Sequence, residues 1–291
     1  MPTAALPDRA FVDVTGEEAL HFLQNLVTTD LMALGEGEAK PGALLSPQGK
    51  ILFDFLVSVL PDGYRLDCRR TAAADFARRL TLYKLRAKVA IAAEEQALVA
   101  VSWNGDSAAS SSESTGLADL RFPAEAGVRR FHGTGGPAPD AALDAWDGLR
   151  IAHGIAESGS DYEFGDAFPH DVLLDQSGGV GFKKGCYVGQ EVVSRMQHRG
   201  TARRRVLIAS AQEALPAPGA DITVAGRSVG ALGSVRGDRG LAIVRIDKVK
   251  DAVDAGQPVE AGGVALTLAI PSWANFIFPE TVTPGPSSGE A

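Results

Sequence analysis

A series of five short apolar segments in the last third of the chain constrains the fold most strongly. Gly and Pro residues punctuate the series, which is typical of strands that follow one another in a sheet. Residues 201–278 therefore predict a small all-β unit, either a barrel or a sandwich. We expect residues 279–291 to form a disordered tail. The five segments are Arg205–Ala209, Ile222–Val224, Val229–Val235, Leu241–Ile246 and Val264–Ile270.

An α+β unit is predicted over residues 43–115. A hairpin with a long second strand, Lys50–Leu60, is followed by a third strand, a helical pattern and two more strands. Strands that flank a helix in this way predict an α+β sandwich of about 60 residues. The helical pattern consists of Phe76, Leu80 and Tyr83, and the other strands are Tyr64–Asp67, Lys88–Ala92 and Ala97–Trp103.

Three further helices are predicted outside this unit. Thr15 and Glu18 have the spacing of a capping box in front of an apolar helical pattern. Asp140 can cap a second helix, which Gly154 ends, and a third helix begins near Glu191. At 291 residues a single core is near its practical limit, so we expect two or three packed units.

Composition excludes several classes of protein. The net charge of −8 argues against a general nucleic-acid coat protein. The most apolar stretch, Ile51–Leu60, has only the length of a strand and carries Asp54, so no transmembrane helix is expected. Cys68 and Cys186 are the only cysteines, which predicts no disulfide framework and no metal centre of the chain's own. With no secretory signal in the sequence, we expect a cytoplasmic location.

Residues 183–191, Lys-Lys-Gly-Cys-Tyr-Val-Gly-Gln-Glu, form the most informative segment for function. Gly185 and Gly189 allow a tight turn or the close approach of a ligand. Cys186 follows two lysines and precedes a helix, and both features favour a thiolate that acts as a nucleophile, redox sensor or soft-metal ligand. The alternative for this cysteine is a small buried hydrophobe on a turn. Tyr187 is either a stacking platform for a flat ring or a buried structural tyrosine.

Charge is concentrated in the same region. Residues 183–205 contain seven Lys and Arg against one Glu, a net charge of +6. A basic segment on an acidic protein suits an anionic partner, such as a polyglutamylated cofactor, an acidic protein or RNA phosphates. The alternative is a solvated face and a domain linker.

The remaining polar candidates are expected at the surface. Asp161, Glu163 and Asp166 predict a solvated acidic turn before Pro169. His170 and His198 have no metal-type spacing, and we expect both to be surface histidines. The alternative is a catalytic Cys/His pair that one of them forms with Cys186.

Four stretches together resemble the YgfZ family of folate-binding proteins, which is related to the glycine-cleavage T protein, an aminomethyltransferase. The resemblance covers about residues 8–275, and the motif around Cys186 is its most specific part. It implies a three-domain ring around a central channel that accepts tetrahydrofolate, with a ferredoxin-like second domain and a small C-terminal β-barrel. The stretches are Phe22–Asp30, Leu44–Lys50, Tyr83–Arg86 and residues 183–191. The implied domains are residues 1–42 plus 116–200 (folate binding), 43–115 (α+β) and 201–278 (barrel).

The resemblance also implies a function. YgfZ proteins assist the assembly or repair of iron–sulfur clusters, particularly [4Fe-4S] clusters in enzymes such as radical-type tRNA-modifying proteins. Cys186 is then the functional residue, tetrahydrofolate or a derivative the cofactor, and iron–sulfur client or assembly proteins the partners. We expect a monomer with no membrane contact and no direct nucleic-acid binding. The residues implied to contact folate are Asp30, Lys184, Gly185, Tyr187, Gly189, Gln190, Glu191 and Arg199.

A folate-dependent aminomethyltransferase of the T-protein type is the alternative function. Asp30 falls where T proteins carry a carboxylate, which would orient the pterin and handle a proton. Asp30 could equally cap the element that follows. A second T-protein carboxylate falls on Ala152, which cannot accept hydrogen bonds from a pterin. This departure favours the accessory protein over the transferase.

Overall fold

The computed structural model of the chain describes residues 1–104, 116–200 and 202–279. The expected tail lies outside the described residues except for Pro279. The described residues form two β-sheets and five α-helices. The helices are α1 (Ala19–Gln24), α2 (Ala73–Lys84), α3 (Leu143–His153), α4 (Gln190–Arg199) and α5 (Ile246–Asp254).

The first sheet has nine strands in the order β1-β7-β9-β8-β3-β4-β5-β2-β6. Neighbouring strands are antiparallel except for the parallel pair β3 and β8. The strands are β1 (Thr3–Ala5), β2 (Arg9–Thr15), β3 (Glu38–Leu45), β4 (Ile51–Leu60), β5 (Gly63–Arg69), β6 (Ala90–Glu94), β7 (Val99–Ser102), β8 (Leu117–Asp119) and β9 (Arg129–His132).

Helices α1 and α2 cover one part of this sheet and form a hydrophobic core with β2, β4 and β5. Phe76 of α2 stacks on Phe53 and Phe55 of β4, with ring centroids 4.9 and 5.6 Å apart. Leu80, one turn further along α2, is completely buried, as the predicted helical spacing requires. The predicted α+β arrangement is confirmed.

Two predicted helix caps are wrong. Thr15 is the last residue of β2, and Glu18, the N-cap of α1, accepts a hydrogen bond from the Lys88 backbone nitrogen (2.5 Å) instead of capping its own helix. Asp140 accepts a hydrogen bond from the Thr3 backbone nitrogen (2.7 Å), so it ties β1 to the approach of α3. In both cases a partner distant in sequence takes the side chain that the local pattern assigns to a cap.

The second sheet has seven strands in the order β15-β14-β11-β12-β13-β10-β16. Its two edge strands are separated by Leu266 alone, so the sheet nearly closes into a barrel around its own core. The predicted C-terminal β unit is therefore confirmed as a barrel, although the prediction misses helix α5. The strands are β10 (Arg204–Ser210), β11 (Asp221–Val224), β12 (Arg227–Arg236), β13 (Arg239–Arg245), β14 (Val259–Ala261), β15 (Val264–Ala265) and β16 (Thr267–Ala269).

The expected boundaries between the first two domains stay a prediction. Hydrogen bonding in the first sheet continues across them, because β3 spans the expected boundary at residues 42 and 43 and pairs with both β4 and β8. Two further cores join the parts of the chain. One lies around Trp146 of α3, and the other joins Val193 of α4 to the start of β4 and to the barrel.

A network of buried ion pairs connects the strands of the first sheet. Asp67 of β5 accepts hydrogen bonds from Arg9 Nε on β2 and from Arg130 Nη1 on β9, both at 2.7 Å. Arg130 Nε also donates to Asp119 of β8 at 3.0 Å. All four side chains are buried. The two arginines hold the pKa of Asp67 well below its usual range.

The same network reaches the barrel through the loop at residues 157–162. Glu157 accepts a hydrogen bond from Arg121 Nη1 (2.9 Å), and Asp161 accepts one from Arg150 Nη1 of α3 (3.1 Å). Asp161 also accepts from the backbone nitrogen of Ser234 in β12 (2.6 Å). The Asp161 side chain is fully buried, so its predicted place in a solvated turn is wrong.

We predict that Glu157→Gln lowers the free energy of unfolding by about 3 kcal/mol at pH 7, because it leaves buried arginines without their counter-charge. Neighbouring arginines hold the pKa of Glu157 well below its unfolded value. Its contribution is therefore complete above that unfolded value and is lost as the pH falls through the folded pKa. Urea titrations across this pH range should show the difference between wild type and variant shrinking in acid.

The exposed Glu163 supplies the control for this experiment. Glu163→Gln should change the free energy of unfolding by no more than about 0.5 kcal/mol at any of these pH values. Equal effects of the two substitutions would show that the buried network does not stabilise the fold.

Candidate functional site

Three turns meet at one place: the turn after α1, the turn between β3 and β4, and the segment that precedes α4. Thr28 connects them through hydrogen bonds. Its Oγ1 donates to the Gly179 carbonyl (2.7 Å) and accepts from the Ala43 backbone nitrogen (2.9 Å). Its own carbonyl accepts from the Gly181 backbone nitrogen (2.8 Å). The segment that leads to the cysteine motif is thereby fixed to the turn after α1.

Lys184 anchors the motif to the same turn. Its Nζ donates to the carbonyls of Val27 (2.7 Å) and Thr29 (2.6 Å). Burial lowers the pKa of this lysine to about 8, and the nearby Asp30 carboxylate opposes that shift. The ammonium also lies 5.4 Å from the centre of the Tyr187 ring. Lys184 thus has a structural role, and its charge is committed to backbone carbonyls.

The two motif glycines differ in what their positions require. Gly189 begins α4 with φ +79°, and a Cβ there would lie 2.5 Å from the Ser46 carbonyl oxygen and 3.0 Å from Leu45 Cβ. Only glycine allows this approach between α4 and the turn before β4. A Cβ on Gly185 would meet no atom of the described residues within 4 Å. Gly185 therefore lies in an open part of the turn.

Cys186 lies in this open part, and its side chain is exposed. The alternative of a buried structural cysteine is therefore wrong for Cys186. Cys68 does fit that description: it is buried in β5, and burial raises its pKa to about 12. Of the two lysines before Cys186, Lys183 is exposed, whereas the ammonium of Lys184 is held by carbonyls.

The other motif residues are placed in different surroundings. Tyr187 is buried in a hydrophobic core, which raises its pKa to about 12, so it is the structural tyrosine of the two alternatives. Gln190 is half-buried at the first position of α4. Glu191 is exposed and accepts a hydrogen bond from Arg195 (2.5 Å). Arg199 is at the far end of α4, about 14 Å along the helix axis, so the structure separates it from the motif.

Asp30 acts as a cap, the second of its two predicted roles. Its Oδ1 accepts hydrogen bonds from Gln24 Nε2 (2.8 Å) and from the Met32 backbone nitrogen (3.2 Å), at the start of the short 3-10 helix Leu31–Ala33. On α3, Ala152 is exposed.

The basic character of residues 183–205 is largely neutralised within the fold. Three of its arginines form ion pairs, and Lys184 is bound by carbonyls. Lys183 and Arg199 remain as exposed cations for which the described residues provide no carboxylate partner, whereas the exposed Arg203 interacts electrostatically with Asp247. The structure therefore favours the alternative of a solvated face for most of this segment. The ion pairs are Arg195–Glu191, Arg204–Asp166 and Arg205–Asp175.

The two histidines near this segment differ. His198 is exposed on α4, as predicted. His170 is completely buried, so its predicted surface position is wrong. Its Nε2 lies 3.1 Å from Gln197 Oε1, and burial lowers its pKa because an imidazolium is disfavoured away from water.

A cavity between β4, the 157–162 loop and Trp273, which we call the central cavity, is a separate feature. Its volume is about 30 Å³. Asp54 lies in its wall and accepts hydrogen bonds from Ser158 Oγ (2.6 Å) and Tyr162 OH (2.7 Å). None of the eight residues implied to contact folate lines this cavity. The charge of Asp54 within an apolar strand is the one signal in the sequence that marks the position.

The side chains of the described residues determine where a metal ion could bind. Among the residues that the structure describes, no group of three or more His, Cys, Asp and Glu side chains is placed to hold a metal ion. The described chain also has no helix long and apolar enough to cross a membrane.

Comparisons with known proteins give the chain's relatives. The family description "CAF17, C-terminal beta-barrel domain" matches residues 203–276. The human mitochondrial iron–sulfur cluster assembly factor IBA57 is 31% identical over 299 residues, which cover 92% of this chain and 84% of the human protein. The mouse IBA57 has the same identity over 301 residues and the same coverage. A homologue from Coccidioides immitis is 29% identical over 350 residues, covering 92% of this chain and 82% of its own.

A solved structure supports the fold. The glycine cleavage system aminomethyltransferase T from Bartonella henselae superposes with a TM-score of 0.71 at 17% identity, covering 94% of this chain and 86% of the other. The aminomethyltransferase-type fold implied by the motif resemblance is therefore confirmed. The relatives carry the name IBA57, whereas the motif resemblance predicts YgfZ.

The expected cytoplasmic location needs correction. The human, mouse and Coccidioides immitis relatives are all named mitochondrial, which overturns the assignment from cysteine content and the absence of a secretory signal. Few cysteines indicate a reducing compartment and do not distinguish one such compartment from another.

We predict that Gly189→Ala lowers the free energy of unfolding by about 2 kcal/mol, because the new Cβ combines a left-handed backbone with a clash against the Ser46 carbonyl. Gly185→Ala is the matched control and should change it by less than about 0.5 kcal/mol. Thermal or urea unfolding of the two variants measures both values. Equal destabilisation would show that the close approach at Gly189 is not required.

We predict that iodoacetamide alkylates Cys186 about tenfold or more faster than Cys68 at neutral pH, because one thiol is exposed and the other is buried with a raised pKa. Mass spectrometry of the two cysteine-containing peptides over time gives both rates. In urea the two rates should converge. Equal or slower labelling of Cys186 in the folded protein would contradict its accessibility.

Proposed function

The chain belongs to the IBA57 family, and from that premise we propose that it is an accessory protein in the assembly of iron–sulfur clusters. The relatives named as assembly factors support this, since the human protein matches over 92% of the chain. The single observation that carries the proposal is the exposed thiol of Cys186 on a turn that the rest of the fold holds in place. The [4Fe-4S] type of cluster and tRNA-modifying clients remain predictions of the motif resemblance.

The number of accessible thiols limits how the chain can handle a cluster. Common [2Fe–2S] and [4Fe–4S] clusters are held by four cysteine thiolates. Cys68 is buried, and the described residues hold no further metal-binding group. Cys186 can therefore provide one ligand at most. The cluster is cargo that a partner protein holds through the remaining ligands, and the chain acts on it in a shared complex.

The residues on either side of Cys186 hold its turn in place for contact with a cluster on a partner protein. Lys184 and Gly189 fix the backbone before and after the thiol, through the carbonyls of the α1 turn and the contact with Ser46. Between them the chain is open, so a large partner can approach. The thiol must lose its proton to bind iron, and at this exposed position the proton leaves to water.

Tetrahydrofolate enters no step of this proposal, because the central cavity does not have room for it. A volume of about 30 Å³ holds roughly two waters, and a site for a small molecule has about 300 Å³ or more. Both oxygens of Asp54 already accept hydrogen bonds from protein groups. The resemblance to the aminomethyltransferase, at 17% identity, concerns the fold, and Asp30 is engaged as a cap.

We predict that Cys186→Ala fails to complement a strain that lacks the gene, lowering the activity of cluster-dependent enzymes about tenfold or more, because it removes the one accessible ligand. Its melting temperature should stay unchanged, since truncating an exposed side chain costs at most about 0.5 kcal/mol. Enzyme activities in lysates and thermal unfolding of the purified variant measure the two effects.

Asp30→Asn is the companion variant. It should complement fully and lose no more than about 0.5 kcal/mol of stability, because the amide Oδ1 can still accept both hydrogen bonds. Full complementation by Cys186→Ala, together with failure of Asp30→Asn, would exclude the thiol proposal and restore the one-carbon transferase.

A further inference from the structure

The loop at residues 157–162 reaches the central cavity through Tyr162, which lies in the cavity wall. Tyr162 OH donates to Asp54 Oδ2 (2.7 Å), and Ser158 Oγ donates to Oδ1 of the same carboxylate (2.6 Å). Both Ser158 and Tyr162 are buried. The loop therefore binds the carboxylate in the cavity wall in the way that a polar ligand would, with one donor for each oxygen.

Buried polar contacts from several sides hold this loop in place. The Asp161 carboxylate accepts from the Glu157 backbone nitrogen (2.8 Å) within the loop and from the Ser234 backbone nitrogen (2.6 Å) in the barrel. Arg121 binds Glu157 at the other side (2.9 Å). Moving the loop would leave several of these groups buried without partners, which is costly. The position of this loop is therefore a fixed part of the fold.

The small volume is specific to this place in the molecule. A groove between α4, β10 and α5 has a volume of about 640 Å³, against about 30 Å³ for the central cavity. Tyr162 is one of the large side chains that line the central cavity, and it is the one that the loop contributes beside Asp54. The space of about 30 Å³ that is left beside the Tyr162 ring is too small for a pterin ring.

We propose that Tyr162 is a plug that excludes tetrahydrofolate from the central cavity. The Asp54 carboxylate accepts its hydrogen bond from Tyr162 instead of from a ligand. The Tyr162 ring limits the size of the molecule that can enter the cavity. This inference is independent of the role of Cys186, which lies on a different turn and does not line the cavity.

The indole of Trp273 lies in the wall of the cavity and provides the reporter. The full-length chain is titrated with 5-formyltetrahydrofolate, followed by tryptophan fluorescence, with Trp273→Phe as the background for binding elsewhere. Wild type and Tyr162→Phe should show no saturable change that depends on Trp273 up to about 1 mM. Tyr162→Ala removes the ring. This variant should bind 5-formyltetrahydrofolate with a Kd of about 100 μM or lower.

Two results would overturn the proposal. One is saturable, Trp273-dependent binding to the wild type with a Kd below about 1 mM. The other is a folded Tyr162→Ala variant that still shows no such binding, because another group would then exclude the ligand. Tyr162→Val replaces the alanine variant if the latter does not fold. Tyr162→Phe keeps the ring and loses only the hydrogen bond to Asp54, so it separates filling of the cavity from the polar contact.

Discussion

Buried arginine–carboxylate pairs are the constraint on which the rest of this structure depends. A charge taken out of water is tolerated only when it is paired, and removing one partner of a buried pair costs about 3–5 kcal/mol. Arg130 contacts Asp67 and Asp119 with no exposed surface of its own, and Glu157 and Asp161 continue the network to α3 and the barrel. Segments that are far apart in sequence are therefore held in one arrangement. The hydrophobic cores alone would allow more freedom, since apolar contact has no direction.

Local sequence patterns predict the strands and helices of this fold better than the residues at which they begin and end. The barrel strands follow from short apolar segments between glycines, because a strand needs only alternation and a turn. Helix α5 was missed although Ile246, Val249 and Ala252 have helical spacing, since nine residues among strands carry a weak periodic signal. The capping box at Thr15 and Glu18 failed for another reason. Their side chains and backbone are used by β2 and by the Lys88 segment, and sequence spacing does not report such partners.

In the candidate site, too, some features follow from the local sequence and others depend on residues that are distant in sequence. The open turn at Cys186 and the glycine at position 189 follow from residue type, because a free cysteine between glycines needs no distant partner. The burial of His170 and Asp161 depends on Gln197 and Ser234, which only the folded chain brings near. Polar residues are usually exposed, so a sequence-based prediction places them at the surface unless their partners are known.

The centre of the molecule is filled by side chains, whereas the Cys186 turn is accessible at the surface. This difference limits the chemistry that the chain can carry out. A small-molecule enzyme needs a cavity that excludes water around its substrate. Here the centre is filled by Tyr162 and by paired charges, whereas the thiol of Cys186 lies on a surface turn. A thiol in that position cannot shield a substrate by itself. It can do so only when a second protein covers it, as in the shared complex that we propose.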